Sequence, residues 1–255
     1  AIGIAGSTAA GSWAFIDEGN TVKRVHPGLA SKSGVVAAFL AREGITGPSG
    51  LLEAEWGGFY RTYLQGEPYY PEHVTGNLGS DWQILHAGFK PYASCRRIHS
   101  PLDALFVVIE KHGLKPEQVK RITVNGNEIH ERQLSRFPVN TVLEAQFSLP
   151  YTLASALITG SAGLDQYTLA AIGRSEIATL AERVTVRRDP SIAETGEPRL
   201  VFELNDGRVF TETVHVPKGH PKNPLTRQEL TAKFRTNAGL VLPEEKVAYL
   251  TNAMS

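Results

Sequence analysis

The spacing of apolar residues predicts that the first part of the chain is helical. Apolar side chains recur at helical spacing over residues 29–43, and Gly44 follows where such a helix would end. Residues 50–64 show a second helical pattern, which Gly57-Gly58 is expected to interrupt, and residues 101–112 show a third, strongly apolar one. Residues 65–79 are rich in Gly, Pro and aromatic residues, which predicts a loop.

The pattern changes to a mixture of strands and helices after residue 114. Residues 121–124 and 184–188 predict strands, and residues 198–216 alternate on both sides of Asn205-Asp-Gly207, which predicts a hairpin. The remaining helical patterns lie over residues 141–159, over residues 161–181 in two pieces, after a capping box at Thr226, and near residues 243–252. The sequence therefore predicts an α+β fold, in which an α/β segment near residues 115–218 interrupts a helical part.

The first fifteen residues are small and apolar, with several glycines. A phosphate-binding loop is one interpretation, but the Gly-Lys-Ser/Thr that completes such a loop does not follow. We therefore expect these glycines to allow close packing of a helix.

Composition and charge narrow the class of protein. The chain has 255 residues, with 26 basic and 26 acidic side chains, and this balance argues against nucleic acid or an anionic membrane as the main partner. No apolar run approaches the ~20 residues of a membrane span, and no signal peptide is recognisable. A single Cys excludes an internal disulfide, and the His spacing matches no metal motif. We expect a cytoplasmic protein without a metal site.

Two basic clusters are the strongest chemical signals in the chain. Residues 90–104 combine Lys, two Arg, Cys, His and Asp ahead of an apolar helix, and residues 23–28 have the same character. Ser100 is positioned to cap the helix that follows the first cluster. Cations and a titratable imidazole at a helix N-terminus favour an anion. The two clusters therefore predict a small polyanionic ligand.

Four motifs occur in order along the chain. They are Lys23-x-x-His-Pro-Gly28 followed by Thr46-Gly-Pro48, Lys90-Pro-Tyr-Ala-Ser-Cys-Arg-x-x-His99, Glu144-Ala-Gln-Phe-Ser-Leu-Pro-Tyr151, and Asn223-Pro-Leu-Thr-x-x-Glu-Leu230 with Lys233-Phe234. Together they resemble the MmgE/PrpD family, which includes 2-methylcitrate dehydratase, cis-aconitate decarboxylase and iminodisuccinate epimerase. The resemblance runs essentially from end to end of the chain.

The resemblance implies an all-helical domain with an inserted α/β lid domain, usually in a dimer. On this basis we expect a helical domain over residues 1–114, a lid over residues 115–218, and a return to the helical domain over residues 219–255. It also implies an active site between the two domains that works without metal or organic cofactor. Family members are longer and begin with segments that help to form the site. We therefore expect a homodimer, a second polypeptide that supplies an N-terminal half, or a partial protein.

The resemblance also suggests roles for individual residues. Lys23 and Lys90 match the family's two lysines and are candidates for carboxylate binding, although a solvated helix-flanking Lys is the ordinary alternative. His99 is a candidate acid or base, because an unperturbed imidazole titrates near neutrality, or else a structural His. Tyr151 falls on the family's catalytic Tyr and is a candidate proton donor, or else a packed core Tyr.

Three further residues are candidates for substrate binding. His26 is expected to orient a substrate or to cap a helix, and Ser94 to donate a hydrogen bond to a carboxylate. Cys95 stands where the decarboxylases of the family have a His, which departs from their pattern. We expect Cys95 to line the site, and a nucleophilic role would require a lowered pKa.

These expectations combine into one main hypothesis and two alternatives. The chain is expected to be a cofactor-free lyase, of the dehydratase or decarboxylase type, that moves a proton next to a carboxylate of a small di- or tricarboxylate. The first alternative is an epimerase or racemase of a dicarboxylate. The second is a non-catalytic subunit of such an enzyme.

Overall fold

The computed structural model describes residues 1–18, 20–64 and 66–253. The side chains of Asp17 and Glu18 lie outside this description, as does Gln65, the first residue of the loop predicted over residues 65–79. By its contacts the chain divides into two compact units, which we call unit 1 (Ala1–Gln83) and unit 2 (Ile84–Ser255).

Unit 1 is helical. Its α-helices are α1 (Ile2–Gly6), α2 (Phe15–Glu18), α3 (His26–Arg42), α4 (Phe59–Leu64) and α5 (Glu72–Thr75). The helix predicted over residues 29–43 is confirmed as α3, which begins earlier because Pro27 fits its first turn. For residues 50–64, the predicted interruption at Gly57-Gly58 is confirmed, but the helix predicted before it is wrong. Gly57 adopts a φ of 71°, which no helix continues through, so only α4 forms there.

The small residues at the start of the chain allow close packing within unit 1. A Cβ at Gly3 would overlap the carbonyl of Pro48, and a Cβ at Gly47 would overlap the backbone of α1. The expected close packing is thus confirmed. By contrast, α3 buries only Ala37, and its apolar side chains at Val36 and Phe39 are about half exposed.

Unit 2 contains helices and one mixed sheet. Its α-helices are α6 (His99–His112), α7 (Glu128–Leu134), α8 (Val142–Gln146), α9 (Leu149–Thr159), α10 (Leu169–Ile172), α11 (Ser175–Ala181), α12 (Arg227–Gly239) and α13 (Glu244–Ala253). Its strands are β1 (Val119–Gly126), β2 (Val184–Arg188), β3 (Arg199–Leu204) and β4 (Val209–Glu212). Short 3₁₀ turns lie at Thr21–Arg24 in unit 1 and at Arg96–Ile98, Pro116–Gln118 and Leu164–Gln166 in unit 2. The predicted α+β fold class is confirmed.

The sheet has the order β2-β1-β3-β4. Strands β1 and β2 are parallel, whereas β3 is antiparallel to both β1 and β4. The predicted hairpin is confirmed as β3 and β4. Leu204 N donates to the carbonyl of Arg208 at 2.9 Å, and Gly207 takes the positive φ of 87° that the turn requires.

One apolar core joins the helices and the sheet of unit 2. Leu102 and Leu105 of α6, Leu153 of α9, and Ile122 and Phe202 of the sheet are fully buried in it. Helix α6 packs against β3 and β4. The predicted boundary after residue 114 therefore falls inside a continuous core, and the three-part division of the chain stays a prediction.

Two helix boundaries differ from the prediction for local reasons. Helix α6 ends as predicted at Gly113, whose φ is 62°, but Ser100 does not cap its start. The helix begins at His99, and Ser100 Oγ donates instead to the carbonyl of Val214 at 2.6 Å. The single helix predicted over residues 141–159 is divided in two, because Ser148 caps α9 by accepting from Tyr151 N.

Candidate active site

The segment that carries the second motif is held in place by the third. This segment, residues 90–95, precedes α6. Cys95 N donates to the carbonyl of Gln146 at 2.9 Å, and Gln146 Nε2 donates back to the carbonyl of Ala93 at 2.8 Å. Gln146 ends α8, which a capping box at Thr141 begins. The second and third motifs, which are far apart along the chain, are therefore in contact in the fold.

The fourth motif reaches the same segment through Lys233. The Nζ of Lys233, on α12, donates to the carbonyl of Lys90. Just before it, Phe89 N donates to the carbonyl of Gly219 at 2.9 Å. Gly219 has a φ of 84°, and a Cβ there would overlap the carbonyl of Phe89. Three of the four motifs therefore meet around residues 89–95 of unit 2.

Lys90 and Ser94 are joined through the backbone. Lys90 Nζ donates to the carbonyl of Ser94 at 3.2 Å, and the Lys90 side chain is exposed. Ser94 is buried, and its hydroxyl has no hydrogen-bond partner among the described residues. The Ser94 hydroxyl lies close enough to Tyr167 to lower the pKa of the Tyr167 phenol, although the two hydroxyls do not form a hydrogen bond. Burial raises the pKa of Tyr167 to about 12.

His99 is a buried, neutral imidazole among cations. Its exposed fraction is 0%, and neither ring nitrogen has a hydrogen-bond partner in the described part of the chain. Burial, with the charges of Arg96, Lys90 and Lys233, lowers the pKa of His99 to about 3. The backbone of Ser94 lies near the His99 ring and acts to raise its pKa, although the two groups do not form a hydrogen bond.

Asp103 accepts hydrogen bonds from other groups and does not pair with His99. Tyr92 packs edge-on against the His99 ring at 5.2 Å between centroids. Its hydroxyl donates to Asp103 Oδ1 at 2.5 Å, and Lys218 N donates to Asp103 Oδ2 at 2.6 Å. Burial and the contact with Asp103 raise the pKa of Tyr92. Tyr92 therefore stays a neutral phenol and Asp103 a satisfied carboxylate.

Tyr151 lies inside the core of unit 2. Its exposed fraction is 1%, and its hydroxyl donates to the carbonyl of Gln166 at 2.5 Å. Burial raises the pKa of Tyr151. Its ring lies 6.1 Å from that of Tyr167, which adjoins Ser94. The predicted catalytic role of Tyr151 stays a prediction.

Glu197 and two arginines lie beside the start of α6. A carboxylate oxygen of Glu197 is 3.8 Å from Arg96 Nη1, and burial raises the pKa of Glu197 against the effect of Arg96 and Arg97. Asn127 holds the backbone before Glu197, because its Nδ2 donates to the carbonyls of Ala193 and Glu194 at 3.1 and 2.8 Å. Sequence reasoning did not identify Glu197, whose neighbours in the chain give no signal.

The first motif lies in unit 1. Lys23 Nζ is 6.0 Å from the ring centroid of Phe15, and the His26 ring packs edge-on against the same ring at 5.6 Å. Phe15 is buried, and His26 is the first residue of α3. The cluster leads into a helix as expected, but the capping role suggested for His26 is wrong, because Val25 is the N-cap residue of α3 and no side chain of the described residues caps it. Lys23 and His26 share an aromatic neighbour, and their binding roles stay predictions.

Within unit 2 the structure brings together Lys90, Ser94, Cys95 and His99 from the predicted set. Cys95 is half-buried and packs against the core of unit 2. Lys233 joins them, although sequence reasoning did not select it. Its place beside Phe234 in the fourth motif was the available signal.

The described residues contain neither a candidate metal site nor a candidate membrane-spanning helix. Within residues 1–18, 20–64 and 66–253, no group of three or more His, Cys, Asp or Glu side chains could hold a metal ion. In the same residues, no helix combines the length and the apolar character needed to cross a membrane.

The fold and the cluster around His99 define an α+β protein with a cationic site in unit 2. The chain belongs to the MmgE/PrpD family, since the profile of the MmgE/PrpD N-terminal domain matches residues 1–72 and that of the C-terminal domain matches residues 92–254.

Individual relatives agree with the family. Cis-aconitate decarboxylase of Aspergillus terreus is 30% identical over 269 residues, which cover 97% of this chain and 54% of the relative. Cis-aconitate decarboxylase of Mus musculus is 26% identical over 242 residues, covering 89% of this chain and 48% of the relative. The 2-methylcitrate dehydratase-like protein oryR of Aspergillus oryzae is 25% identical, with coverage of 89% and 48%. The chain thus spans about half the length of the curated relatives it matches.

Proposed function

We propose that this chain belongs to a lyase that acts on a small di- or tricarboxylate, and that Lys90 binds one substrate carboxylate. The observation that carries the proposal is the arrangement of Lys90, Ser94 and His99 at the start of α6. An exposed ammonium group stands beside two buried polar side chains that lack partners. Buried polar groups without partners are uncommon in native proteins, and a bound ligand is a standard way to satisfy them.

The chemistry of such a lyase fits the charge of this cluster. In dehydration a proton leaves a carbon next to a carboxylate, and in decarboxylation such a carbon loses carbon dioxide and gains a proton; in both, negative charge builds up next to or on a carboxylate, and fixed cations lower the barrier. Lys90 has three N–H donors and uses one on the carbonyl of Ser94, so two remain for a carboxylate. A bound anion would also raise the pKa of His99, because an opposite charge favours the imidazolium. His99 would then accept a proton more readily with substrate bound than without it.

The relatives supply the candidate substrates. Those matched over most of this chain are named for cis-aconitate decarboxylation and for 2-methylcitrate dehydration. Both names describe substrates with three carboxylates and the loss of a small neutral molecule. We propose cis-aconitate as the first substrate to test and 2-methylcitrate as the second.

The Lys90→Ala variant tests the proposal. We expect turnover of the active substrate to fall by at least ~100-fold, the size of effect seen when one charge-stabilising donor is removed. Release of carbon dioxide or formation of the alkene would be followed, with circular dichroism to check the fold. Lys246→Ala is the matched control, because Lys246 is an exposed lysine on α13. Unchanged turnover in Lys90→Ala would contradict the proposal.

The same assay distinguishes the two alternatives. If solvent deuterium enters a dicarboxylate without loss of carbon dioxide or water, the chain belongs to an epimerase and the lyase proposal is wrong. If replacement of Lys90 and Tyr151 leaves the activity of the assembly unchanged, the result favours a non-catalytic subunit.

A further inference from the structure

Two lysine ammonium groups meet at the same backbone segment. Lys233 Nζ donates to the carbonyl of Lys90, and Lys90 Nζ donates to the carbonyl of Ser94. Each ammonium group has three donors and uses one of them here. In the described part of the chain, neither lysine forms an ion pair with a carboxylate.

The nearby acids are engaged by other groups. Glu229, one turn before Lys233 on α12, forms an ion pair with Lys218 at 3.0 Å and accepts from Thr226 N in a capping box. Asp103 accepts from Tyr92 and from Lys218 N. Neither of these two acids therefore neutralises Lys90 or Lys233 through an ion pair.

The positive charge around this segment favours the binding of an anion. Burial and the charge of Lys90 lower the pKa of Lys233. Like charges held close together destabilise each other, and a shared anion would remove that repulsion. Arg96 is a third cation that lowers the pKa of His99, but its charge is paired with the carboxylate of Glu197.

We propose that Lys233 binds a second carboxylate of the substrate, while Lys90 binds the first. This inference rests on the proposed function and deepens it, because it assigns a residue to the second carboxylate of the substrate. The hydroxyl of Ser94 and the ring of His99 are buried near these cations and have no hydrogen-bond partner among the described residues. A monocarboxylate would engage only one of the two lysines.

A purely structural role for Lys233 makes a different prediction. If Lys233 only holds the carbonyl of Lys90, its loss would disturb the Lys90 side chain and weaken every carboxylate alike. If Lys233 binds a second carboxylate, its loss would weaken polycarboxylates and leave monocarboxylates unchanged. The dependence of affinity on the number of carboxylates therefore separates the two roles.

Binding measured by calorimetry on the intact protein provides the test. The probes are tricarballylate, glutarate and butyrate, which carry three, two and one carboxylates. For Lys233→Met we expect the Kd of tricarballylate and of glutarate to rise by ~10-fold or more, since hydrogen bonds to charged groups contribute about 1.5–3 kcal/mol. The Kd of butyrate should not change. Lys233→Arg keeps the charge and should restore most of the affinity.

Two further variants serve as the control and as a replacement for Lys233→Met. Lys246→Met removes an exposed lysine from α13 and should change none of the three affinities. If Lys233→Met does not fold, Lys233→Gln, which keeps an N–H donor, replaces it. An equal loss of affinity for all three probes would overturn the role of Lys233 and leave the proposed function intact. A parent protein that binds none of the probes would overturn the proposed function itself.

Discussion

At the scale of single residues, the structure changes the roles expected for His99 and Tyr151. The sequence suggests that His99 titrates near neutrality, but burial and three neighbouring cations lower its pKa to about 3. In the free protein His99 is therefore a neutral ring, which offers one N–H donor and one acceptor nitrogen. Tyr151, in turn, occupies the core and gives its hydroxyl to the carbonyl of Gln166. Its contribution to stability can be separated from any contribution to turnover.

We expect Tyr151→Phe to lower the free energy of unfolding by about 1–3 kcal/mol. The variant removes a buried hydrogen bond and leaves the carbonyl of Gln166 without that donor. Urea unfolding followed by far-UV circular dichroism measures this change, and Tyr249→Phe, at an exposed position on α13, is the control. If Tyr151 also moves a proton, kcat should fall by ~100-fold or more in Tyr151→Phe. A fall in stability with an unchanged kcat would make Tyr151 structural only.

At the scale of elements, the turn from β1 to α7 supports the loop beside Arg96. Asn127 caps α7 through its Oδ1, which accepts from Ile129 N and His130 N. Its Nδ2 donates to carbonyls of residues 193–196. Gly126 makes this possible, because a Cβ there would lie 2.7 Å from Cβ of His130. One amide side chain thus joins a helix start to the loop that presents Glu197.

Two variants of Asn127 separate these functions. In Asn127→Asp the acceptor that caps α7 remains, but the donor to residues 193–196 is lost. We expect hydrogen exchange to accelerate in residues 193–196 of this variant and to stay slow in α7. In Asn127→Ala both contacts are lost, so exchange should accelerate in both places, with about 0.5–2 kcal/mol lost from the cap alone. Mass spectrometry of peptic fragments measures this. Equal protection of the loop in Asn127→Asp and in the parent protein would show that Nδ2 does not hold it.

At the scale of the whole molecule, two buried histidines are expected to make stability depend on pH. Burial lowers the pKa of His99 to about 3 and that of His130 to about 4, whereas both groups have a pKa near 6.5 when unfolded. The unfolded chain therefore binds more protons in the window between these values. Stability is highest above about pH 6.5 and falls as the pH is lowered from there toward 3–4.

Urea unfolding at pH 7 and at pH 5 tests this expectation. Each histidine adds a slope of up to about 1.4 kcal/mol per pH unit within the window. His99→Gln and His130→Gln should each flatten the pH dependence, and His215→Gln, at an exposed position, should not. Identical slopes in the parent protein and in both core variants would contradict the assignment.

The sequence predicted those elements whose signal is local. Strand β2, the hairpin of β3 and β4, and the end of α6 at Gly113 follow from alternation and turn residues. Helix α7 was not predicted, because it is short and its surest signal is the single cap Asn127. Of the interrupted helix predicted over residues 50–64, only the part after Gly57-Gly58 forms, as α4, and the residues before it form turns.

The candidate site was predictable only in part, for a physical reason. Lys90, Ser94, Cys95 and His99 are close in sequence, so their clustering is visible without a structure. Lys233 reaches Lys90 across 143 positions of the chain, and Glu197 reaches Arg96 through a loop that Asn127 holds. Such contacts depend on tertiary packing, which local pattern does not encode.

The division of the chain into two units determines what an optical probe can report. All three tryptophans, Trp13, Trp56 and Trp82, belong to unit 1, and each is more than 60% exposed. Indole emission therefore comes from unit 1 and starts from a solvated state. A tryptophan placed at Phe202, in the buried sheet, would turn fluorescence into a reporter of the unit that holds Lys90 and His99.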